Sequence, residues 1–326
     1  MSLAPWLAGS WPGLARALAQ QRLHHALLLA APAGFGKRGL AVALAGAALC
    51  TARAPEALAC GSCRACVLLA AGSHPDLVRV GLELRDDGKP RTEVTVDQLR
   101  ALTQRLALSS QFGGLQVAII DPADRMNASA ANALLKTLEE PSRGTVIILV
   151  ADDASRLPAT VRSRCRRVEI AAPGPGEALR WLVGQGVAEP VADEALAASL
   201  GNPGVALEWA REGALDVRAA CAAELAALGA GTRTAAEVAE RWADEQAGLR
   251  LWMAAVLARD EARALATGRP GLLRLTDRDE IPKLAAWADR ANRARGLLST
   301  TLRSELVLLD LLRAWPRADV ARRRTR

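Results

Sequence analysis

The chain has 326 residues, of which 51% are hydrophobic and 24% are charged, and its formal net charge is +7. This length has room for two or three domains and a sizeable core, and no apolar run approaches the roughly 18 residues that a transmembrane helix needs. Residues 1–13 show no basic segment followed by an apolar stretch, so we expect a cytoplasmic protein with neither a secretory signal nor a membrane partner. An arginine-rich and alanine-rich composition fits a GC-rich coding bias as well as a polyanionic partner, so the charge alone does not indicate DNA binding.

The first 170 residues alternate between strand and helix patterns. Apolar runs at residues 26–30, 117–120 and 146–150 predict central strands of a parallel sheet, because they are apolar on both faces. Helix patterns cover residues 38–49 and 128–140, and Pro141 stops the second of them. We therefore predict an α/β domain, with a parallel sheet and flanking helices, over residues 1–170.

No further strand pattern is found after the Pro-Gly segment at residues 173–176. Two short helical patterns follow, at residues 177–183 and 193–200, and the sequence GNPG at residues 201–204 breaks the second of them. We predict a small helical domain over residues 171–207 and an all-α domain over residues 208–326. The apolar faces that predict the last domain consist of Leu249, Trp252, Val256 and Leu257, and of Leu298, Leu302, Leu306 and Leu309. The tryptophans of this region are expected in the core of the helix bundle.

A phosphate-loop pattern lies between the first strand and its helix. Residues 31–38 read APAGFGKR, with the spacing of G-x-x-x-x-G-K-[ST]. Gly34 and Gly36 would let backbone N–H groups turn toward an anion at the start of a helix, and Lys37 would meet the β- and γ-phosphates of a nucleotide. Two interpretations stay open: a loop that binds nucleotide, and a remnant that only shapes the turn.

The residues needed for hydrolysis depart from the pattern. Ala31 replaces the first glycine, and Arg38 replaces the Ser or Thr whose hydroxyl holds Mg²⁺. Asp121, after the second predicted strand, could still help to hold a metal ion and belongs to the degenerate nucleotide site. Pro122 stands where a carboxylate would polarise the attacking water, and Asp124 is placed to point elsewhere. We therefore expect that the chain does not itself hydrolyse ATP.

Four cysteines form a cluster with metal-ligand spacing. Cys50, Cys60, Cys63 and Cys66 read C-x9-C-x2-C-x2-C. Thiolates two residues apart can turn onto one tetrahedral ion, and four sulfur ligands leave no open position, so we predict a structural Zn²⁺ module over residues 50–66. An iron–sulfur cluster is the alternative. Cys165 and Cys221 stand apart from this cluster and are expected to be small core residues.

Several motifs resemble the subunits of the bacterial DNA polymerase III clamp loader, which belong to the AAA+ proteins. They are residues 132–141, reading NALLKTLEEP, residues 163–165, reading SRC, residues 74–76, reading HPD, and the four-cysteine insert. The resemblance implies an AAA+ α/β core over residues 1–170, a lid over 171–207 and an oligomerising collar over 208–326. Leu134, Leu135 and Leu138 are expected to face the sheet, which leaves Lys136, Glu139 and Glu140 exposed. Two interpretations of this exposed face stay open: a solvated surface, and a contact with the adjacent subunit or the central DNA.

The departures favour the delta-prime subunits within this family. The gamma/tau motors keep an intact phosphate loop, an Asp-Glu pair and an arginine in the lid, whereas this chain has Arg38, Pro122 and the sequence GNPG at residues 201–204. The delta subunit lacks the four-cysteine insert.

The resemblance implies partners and a role for Arg164. The partners would be gamma/tau and delta subunits in a hetero-pentamer, the sliding clamp and, through the complex, primer–template DNA. The chain would help to load the clamp during DNA replication, as a non-catalytic subunit of a nucleotidyltransferase holoenzyme. Arg164 would be an arginine finger that stabilises the transition state at a neighbour's ATP. The alternatives are an Arg164 that pairs with a carboxylate of its own chain, and a shifted register that would bring in Arg162, Arg166 or Arg167.

Two other classes of function are less consistent with the sequence. An active ATPase that drives loading itself conflicts with Arg38 and Pro122. A zinc-containing DNA-binding protein that acts alone would leave the motifs at residues 132–141 and 163–165 unexplained, and no reading helix with base-contacting polar residues follows the cysteines.

Overall fold

The computed structural model describes residues 3–85, 87–89, 91–273, 275, 278–298, 300 and 302–316. The chain divides into two compact units. The first contains Met1–Trp181 and Asn202–Val205, and the second contains Leu182–Gly201 and Ala206–Arg326. Within the described ranges, none of the helices combines the length and the apolar character that a bilayer crossing requires.

A five-stranded parallel sheet forms the centre of the first unit. Its strands are β1 (Ala26–Ala30), β2 (Leu77–Val80), β3 (Gln116–Ile120), β4 (Thr145–Ala151) and β5 (Arg166–Val168). Their order across the sheet is β2-β3-β4-β1-β5. The three predicted strands correspond to β1, β3 and β4, and every residue of these strands is buried, as expected for a sheet with helices on both faces.

Helices flank this sheet. They are α1 (Trp11–Ala19), α2 (Lys37–Leu49), α3 (Arg64–Ala70), α4 (Val96–Leu106), α5 (Ala128–Glu139) and α6 (Ala159–Arg162). The Asn127 side chain caps α5 by accepting a hydrogen bond from the backbone N–H of Ala130 at 2.9 Å. Leu134 and Leu138 of α5 are buried, whereas Lys136 and Glu139 are exposed, as predicted. The predicted fold class is confirmed in its architecture: an α/β core with a parallel sheet and flanking helices, followed by a helical region.

All regular elements described after β5 are helical. They are α7 (Pro175–Gly184), α8 (Glu189–Ala198), α9 (Pro203–Arg211), α10 (Ala214–Gly229), α11 (Ala235–Trp242), α12 (Ala247–Thr267), α13 (Ile281–Leu297) and α14 (Ser304–Arg313). Trp242, Trp287 and Trp315 are buried in the core of the second unit. The Trp287 ring lies 4.6 Å from that of Trp315, and its indole N–H donates to the carbonyl of Leu311 at 3.0 Å. These three tryptophans are therefore core residues, as predicted.

One predicted helical face is wrong. Leu298, Leu302, Leu306 and Leu309 have helical spacing, but α13 ends at Leu297 and α14 begins at Ser304. Leu302 and Leu306 are 54% and 60% exposed. Spacing alone predicted one continuous helix because nothing in the pattern marks the break between α13 and α14.

Polar contacts tie α8 to the longer helices of the second unit. Arg218 of α10 is buried and forms ion pairs with Glu194 of α8 at 3.0 Å and with Asp260 of α12 at 3.5 Å. The indole N–H of Trp252 donates to the carbonyl of Ala198, the last residue of α8, at 2.9 Å. Helix α8 is thus fixed to the bundle, while the division into three domains at residues 170 and 207 stays a prediction.

Candidate metal centre, phosphate loop and arginine site

The four predicted cysteines meet in one cluster. Cys50 follows α2, and the other three lie on the turn that leads into α3 and in its first residues. All four Sγ atoms lie within 4.8 Å of one another. The Sγ atoms of Cys50 and Cys63 are 3.8 Å apart, and those of Cys60 and Cys66 are 3.9 Å apart. Four sulfurs bound to one tetrahedral zinc ion at about 2.3 Å would be separated by about 3.8 Å, so these residues fit the metal.

Backbone N–H groups already point at the sulfurs. The Cys60 amide donates to Sγ of Cys50 at 3.4 Å. The Cys63 amide donates to Sγ of Cys60 at 3.3 Å, and the Cys66 amide donates to Sγ of Cys63 at 3.5 Å. Hydrogen bonds, first from the Thr51 side chain and then from the Cys66 amide, lower the pKa of Cys63 to about 5. Burial raises the pKa of Cys66 to about 12. In the metal-free chain, the Cys66 thiol therefore keeps its proton at neutral pH and must release it to a metal ion.

The phosphate loop is held by the chain's own groups along its backbone. Gly34 and Gly36 adopt positive φ angles of 87° and 82°, as the predicted loop requires. Four consecutive carbonyls of the loop accept hydrogen bonds. Lys37 Nζ donates to Pro32 at 3.2 Å, and Asn202 Nδ2 donates to Ala33 at 2.7 Å. The backbone N–H of Gly204 donates to Gly34 at 3.1 Å, and Trp6 Nε1 donates to Phe35 at 2.9 Å. A Cβ atom on Gly204 would lie 2.5 Å from the Cα of Gly34, so no larger residue fits there without moving the loop.

The two charged side chains of the loop are paired with carboxylates that follow neighbouring strands. Lys37 is only 1% exposed, and its ammonium contacts the carboxylate of Asp152, the residue after β4. Arg38 Nε donates to both oxygens of Asp121, at 3.1 and 2.8 Å. The Arg38 guanidinium also lies 3.6 Å from Asp152. The two predicted nucleotide-site residues with charged side chains, Lys37 and Asp121, are thus brought together with Arg38 and Asp152 in one ion-pair network.

Arg164 lies at the surface of the first unit, just after α6. Its Nε donates to Glu139 of α5 at 2.8 Å, and its Nη1 donates to the carbonyl of Thr160 at 2.9 Å. The side chains of Arg164 and Glu139 are 35% and 49% exposed. The guanidinium is therefore held in place by the motif at residues 132–141 and remains accessible.

Comparisons with known proteins agree on the family. A sequence model of the family described as DNA polymerase III, delta subunit, matches residues 9–174. The chain is 40% identical over 240 residues to the DNA polymerase III subunit delta' of Pseudomonas aeruginosa, an alignment that covers 73% of this chain and 70% of the relative. The chain belongs to the delta-prime subunit family of DNA polymerase III.

Two further similarities are found. The DNA polymerase III subunit delta' of Escherichia coli is 38% identical over 205 residues, which cover 62% of this chain and 59% of that protein. A solved DNA polymerase III gamma subunit-related protein from Thermotoga maritima aligns over 93% of this chain and 97% of its own, with 17% identity and a TM-score of 0.45.

All the predicted site residues lie inside residues 9–174, the region that matches the family model. Sequence reasoning missed four contributors to the phosphate loop: Asp152, Asn202, Gly204 and Trp6. A signal for Asp152 existed, since the carboxyl ends of neighbouring parallel strands meet at one edge of a sheet, and Asp121 and Asp152 follow β3 and β4. Asn202 left no comparable signal, because its contact with Ala33 joins segments that lie far apart in the chain.

The HPD motif at residues 74–76, one of the motifs shared with the family, has a structural role. Asp76 is buried and accepts hydrogen bonds from the Ser110 hydroxyl and from the amides of Gln111 and Phe112, at 2.9, 2.8 and 3.0 Å. The ring of His74 stacks on Phe112 at a centroid distance of 4.9 Å. Burial alone would raise the pKa of Asp76, but the hydrogen bonds from Gln111 and Phe112 outweigh it and lower this pKa.

We expect Asp76→Asn to lower the free energy of unfolding by about 2 kcal/mol, because its amide NH₂ would face N–H groups that have lost an acceptor. The native pKa of Asp76 is lowered, so the carboxylate stabilises the fold fully above the unfolded pKa of about 3.9 and loses this effect as the pH falls through the native value. Urea unfolding at pH 7 and at decreasing pH should show a difference between native and variant chains that shrinks in acid. The exposed variant Asp97→Asn serves as the control, and an equal loss in both variants would contradict the role of Asp76.

Proposed function

We propose that this chain is the delta-prime subunit of a DNA polymerase III clamp loader and helps to place the sliding clamp on primed DNA during replication. Its partners would be gamma/tau and delta subunits in a hetero-pentamer, the clamp and, through the complex, primer–template DNA. Membership of the delta-prime family is the observation that carries this proposal. The complex would act in the cytoplasm, where the chromosome is replicated.

We further propose that the chain contributes to ATP hydrolysis without performing it. Arg38 occupies both oxygens of Asp121, the carboxylate that would otherwise help to hold Mg²⁺. Pro122 supplies no base, and the carboxylate of Asp124 instead accepts a hydrogen bond from the backbone N–H of Asp153 at 3.1 Å. These contacts argue against the alternative of an active ATPase.

Arg164 is proposed as the arginine finger that reaches a gamma/tau neighbour's ATP. Its ion pair with Glu139 is partly exposed, and such pairs contribute about 0–1 kcal/mol, so exchanging Glu139 for a phosphate costs little. The planar guanidinium suits a bidentate contact with phosphate oxygens. The pairing with Glu139 is thus compatible with a finger that rests on its own chain until a neighbour binds.

The cysteine cluster is proposed to hold one structural Zn²⁺ ion. When bound, the ion would supply four metal–thiolate bonds that join the end of α2 to the start of α3. It would have no open coordination position, so its role would be structural.

Reconstitution of the loader tests this function. Gamma/tau and delta subunits from the same organism would be combined with and without this chain, and transfer of labelled clamp to primed circular DNA would be measured. We expect loading to require the chain, and we expect no ATP turnover by the chain alone. Loading at an unchanged rate without the chain would reject the proposal, and ATP turnover by the isolated chain would support the active-ATPase alternative.

A further inference from the structure

The ion-pair network at the phosphate loop has the charge pattern of a site that holds a nucleotide and its metal ion. In a working loop, the lysine neutralises phosphate oxygens, and an aspartate helps to hold a divalent cation. Here Lys37 instead meets the carboxylate of Asp152, and Asp121 instead meets the guanidinium of Arg38. Lys37 and Asp121, the two charged residues of the nucleotide-site pattern, are therefore each paired with an opposite charge from the chain itself.

We infer that Asp152 and Arg38 are a resident replacement for nucleotide and metal: the Asp152 carboxylate takes the place of a phosphate toward Lys37, and the Arg38 guanidinium takes the place of Mg²⁺ toward Asp121. This inference deepens the proposed role as a subunit that does not hydrolyse ATP and rests on it. It assigns to Asp152 the exclusion of nucleotide, which the loss of the hydrolytic residues alone does not explain.

Burial of Lys37 supports this assignment. A charged ammonium that is 1% exposed needs a partner, because an unpaired charge inside a protein carries a large desolvation cost. Asp152 supplies that partner from the end of the strand next to β1. A phosphate that approached Lys37 would meet the negative charge of Asp152 at contact distance, so the two anions compete for one cation.

The backbone of the loop agrees with a site that is complete without ligand. Asn202 and Gly204 bond to the carbonyls of Ala33 and Gly34, and Trp6 bonds to that of Phe35. A loop held at these three carbonyls keeps its shape without the phosphate contacts that order a nucleotide-binding loop. The ion pairs and the backbone contacts therefore act together to keep the loop in one closed conformation.

Nucleotide binding to the isolated full chain tests the inference. We would titrate native chain, Asp152→Asn and the adjacent control Asp153→Asn with ADP and, separately, with inorganic phosphate by calorimetry. Asp153 is a matched control because its carboxylate binds Ser155 through the amide and hydroxyl, at 2.8 and 2.7 Å, and belongs to no ion pair with the loop. We expect Asp152→Asn to bind ADP at least tenfold more tightly than native chain and Asp153→Asn. Equal ADP affinities in all three folded proteins would overturn the inference, whatever the phosphate titration shows. A gain for inorganic phosphate that accompanies the gain for ADP would support competition between Asp152 and a phosphate group for Lys37.

Stability provides a second readout that does not depend on ligand. Asp152→Asn and Lys37→Met each leave one charge without its partner, whereas the double variant removes both charges. We expect the double variant to recover much of the thermal stability that each single variant loses, since the pair is coupled. Losses that simply add would show that Asp152 is not the counter-ion of Lys37. Neither experiment involves the clamp or the other subunits, so failure here is separate from failure of clamp loading.

Discussion

We expect Arg164→Ala to abolish most ATP turnover at the gamma/tau site that this chain is proposed to face in the assembled clamp loader. Arginine fingers contribute on the order of 10³–10⁵ in turnover, because they stabilise charge that develops on the transferred phosphoryl group. Sites served by other subunits would keep their own fingers, so total turnover should fall to the rate of those sites. ATP hydrolysis by the reconstituted complex, at saturating clamp and primed DNA, measures this.

Three further variants make the Arg164 experiment specific. Arg164→Lys should not restore turnover, because lysine lacks the planar fork of donors. Glu139→Gln should retain turnover, because it weakens only the resting contact within the chain. Arg162→Ala is the matched control at the exposed end of α6. A loss of ATP turnover in Arg162→Ala instead of Arg164→Ala would assign the arginine-finger role to Arg162. Unchanged turnover in a complex confirmed by gel filtration would leave Arg164 as an internal structural arginine.

Metal removal should have the other large effect. We expect one zinc ion per chain, and we expect chelation to lower the thermal midpoint and expose the segment between α2 and α3 to protease. Structural zinc sites in small peptides contribute about 10–16 kcal/mol of apparent binding energy, which is also folding energy for the residues that the ion joins. Because the Cys66 thiol has a pKa of about 12, metal binding must displace its proton, so affinity should fall as the pH is lowered.

Metal content and variant chains decide between the possible ions. Cys63→Ser should lose the metal, and because serine can still cap α3 from the N-cap position, any loss of stability would report the missing metal ligand. Cys165→Ser lies outside the cluster and should keep a full complement of metal. If the purified chain contains iron and absorbs visible light, the site is an iron–sulfur cluster and not a zinc site. A stoichiometric metal content in Cys63→Ser would refute the four-cysteine centre.

The buried part of the fold could be predicted from the sequence, and the edges of the sheet could not. The strands β1, β3 and β4 are apolar throughout, so their runs predict them directly. The edge strands β2 and β5 are short, and Arg79, Arg166 and Arg167 are exposed within them. Such segments gain their strand conformation from pairing with a neighbour, which no local pattern records.

The candidate sites show the same limit. The cysteine cluster was predictable because its ligands are close in sequence and their spacing alone suits one ion. The phosphate loop was predictable as a turn, but its contacts with Asp152 and Asn202 could not be predicted, because these residues approach it only through the fold. The charge on Arg164 was visible in the sequence, whereas its contact with Glu139 joins α5 to the segment after α6.

The strand order of the sheet has a consequence for synthesis of the chain on the ribosome. Strand β1 pairs only with β4 and β5, so Ala26 meets Ile147 and Leu27 meets Arg166. About 120 residues must therefore be added before the first strand finds a partner, which takes roughly 6–24 s at about 5–20 residues per second. During that time an entirely apolar strand emerges unpaired, and such segments are prone to aggregate. A nascent chain of this family member should therefore depend on chaperone contact until β4 has emerged.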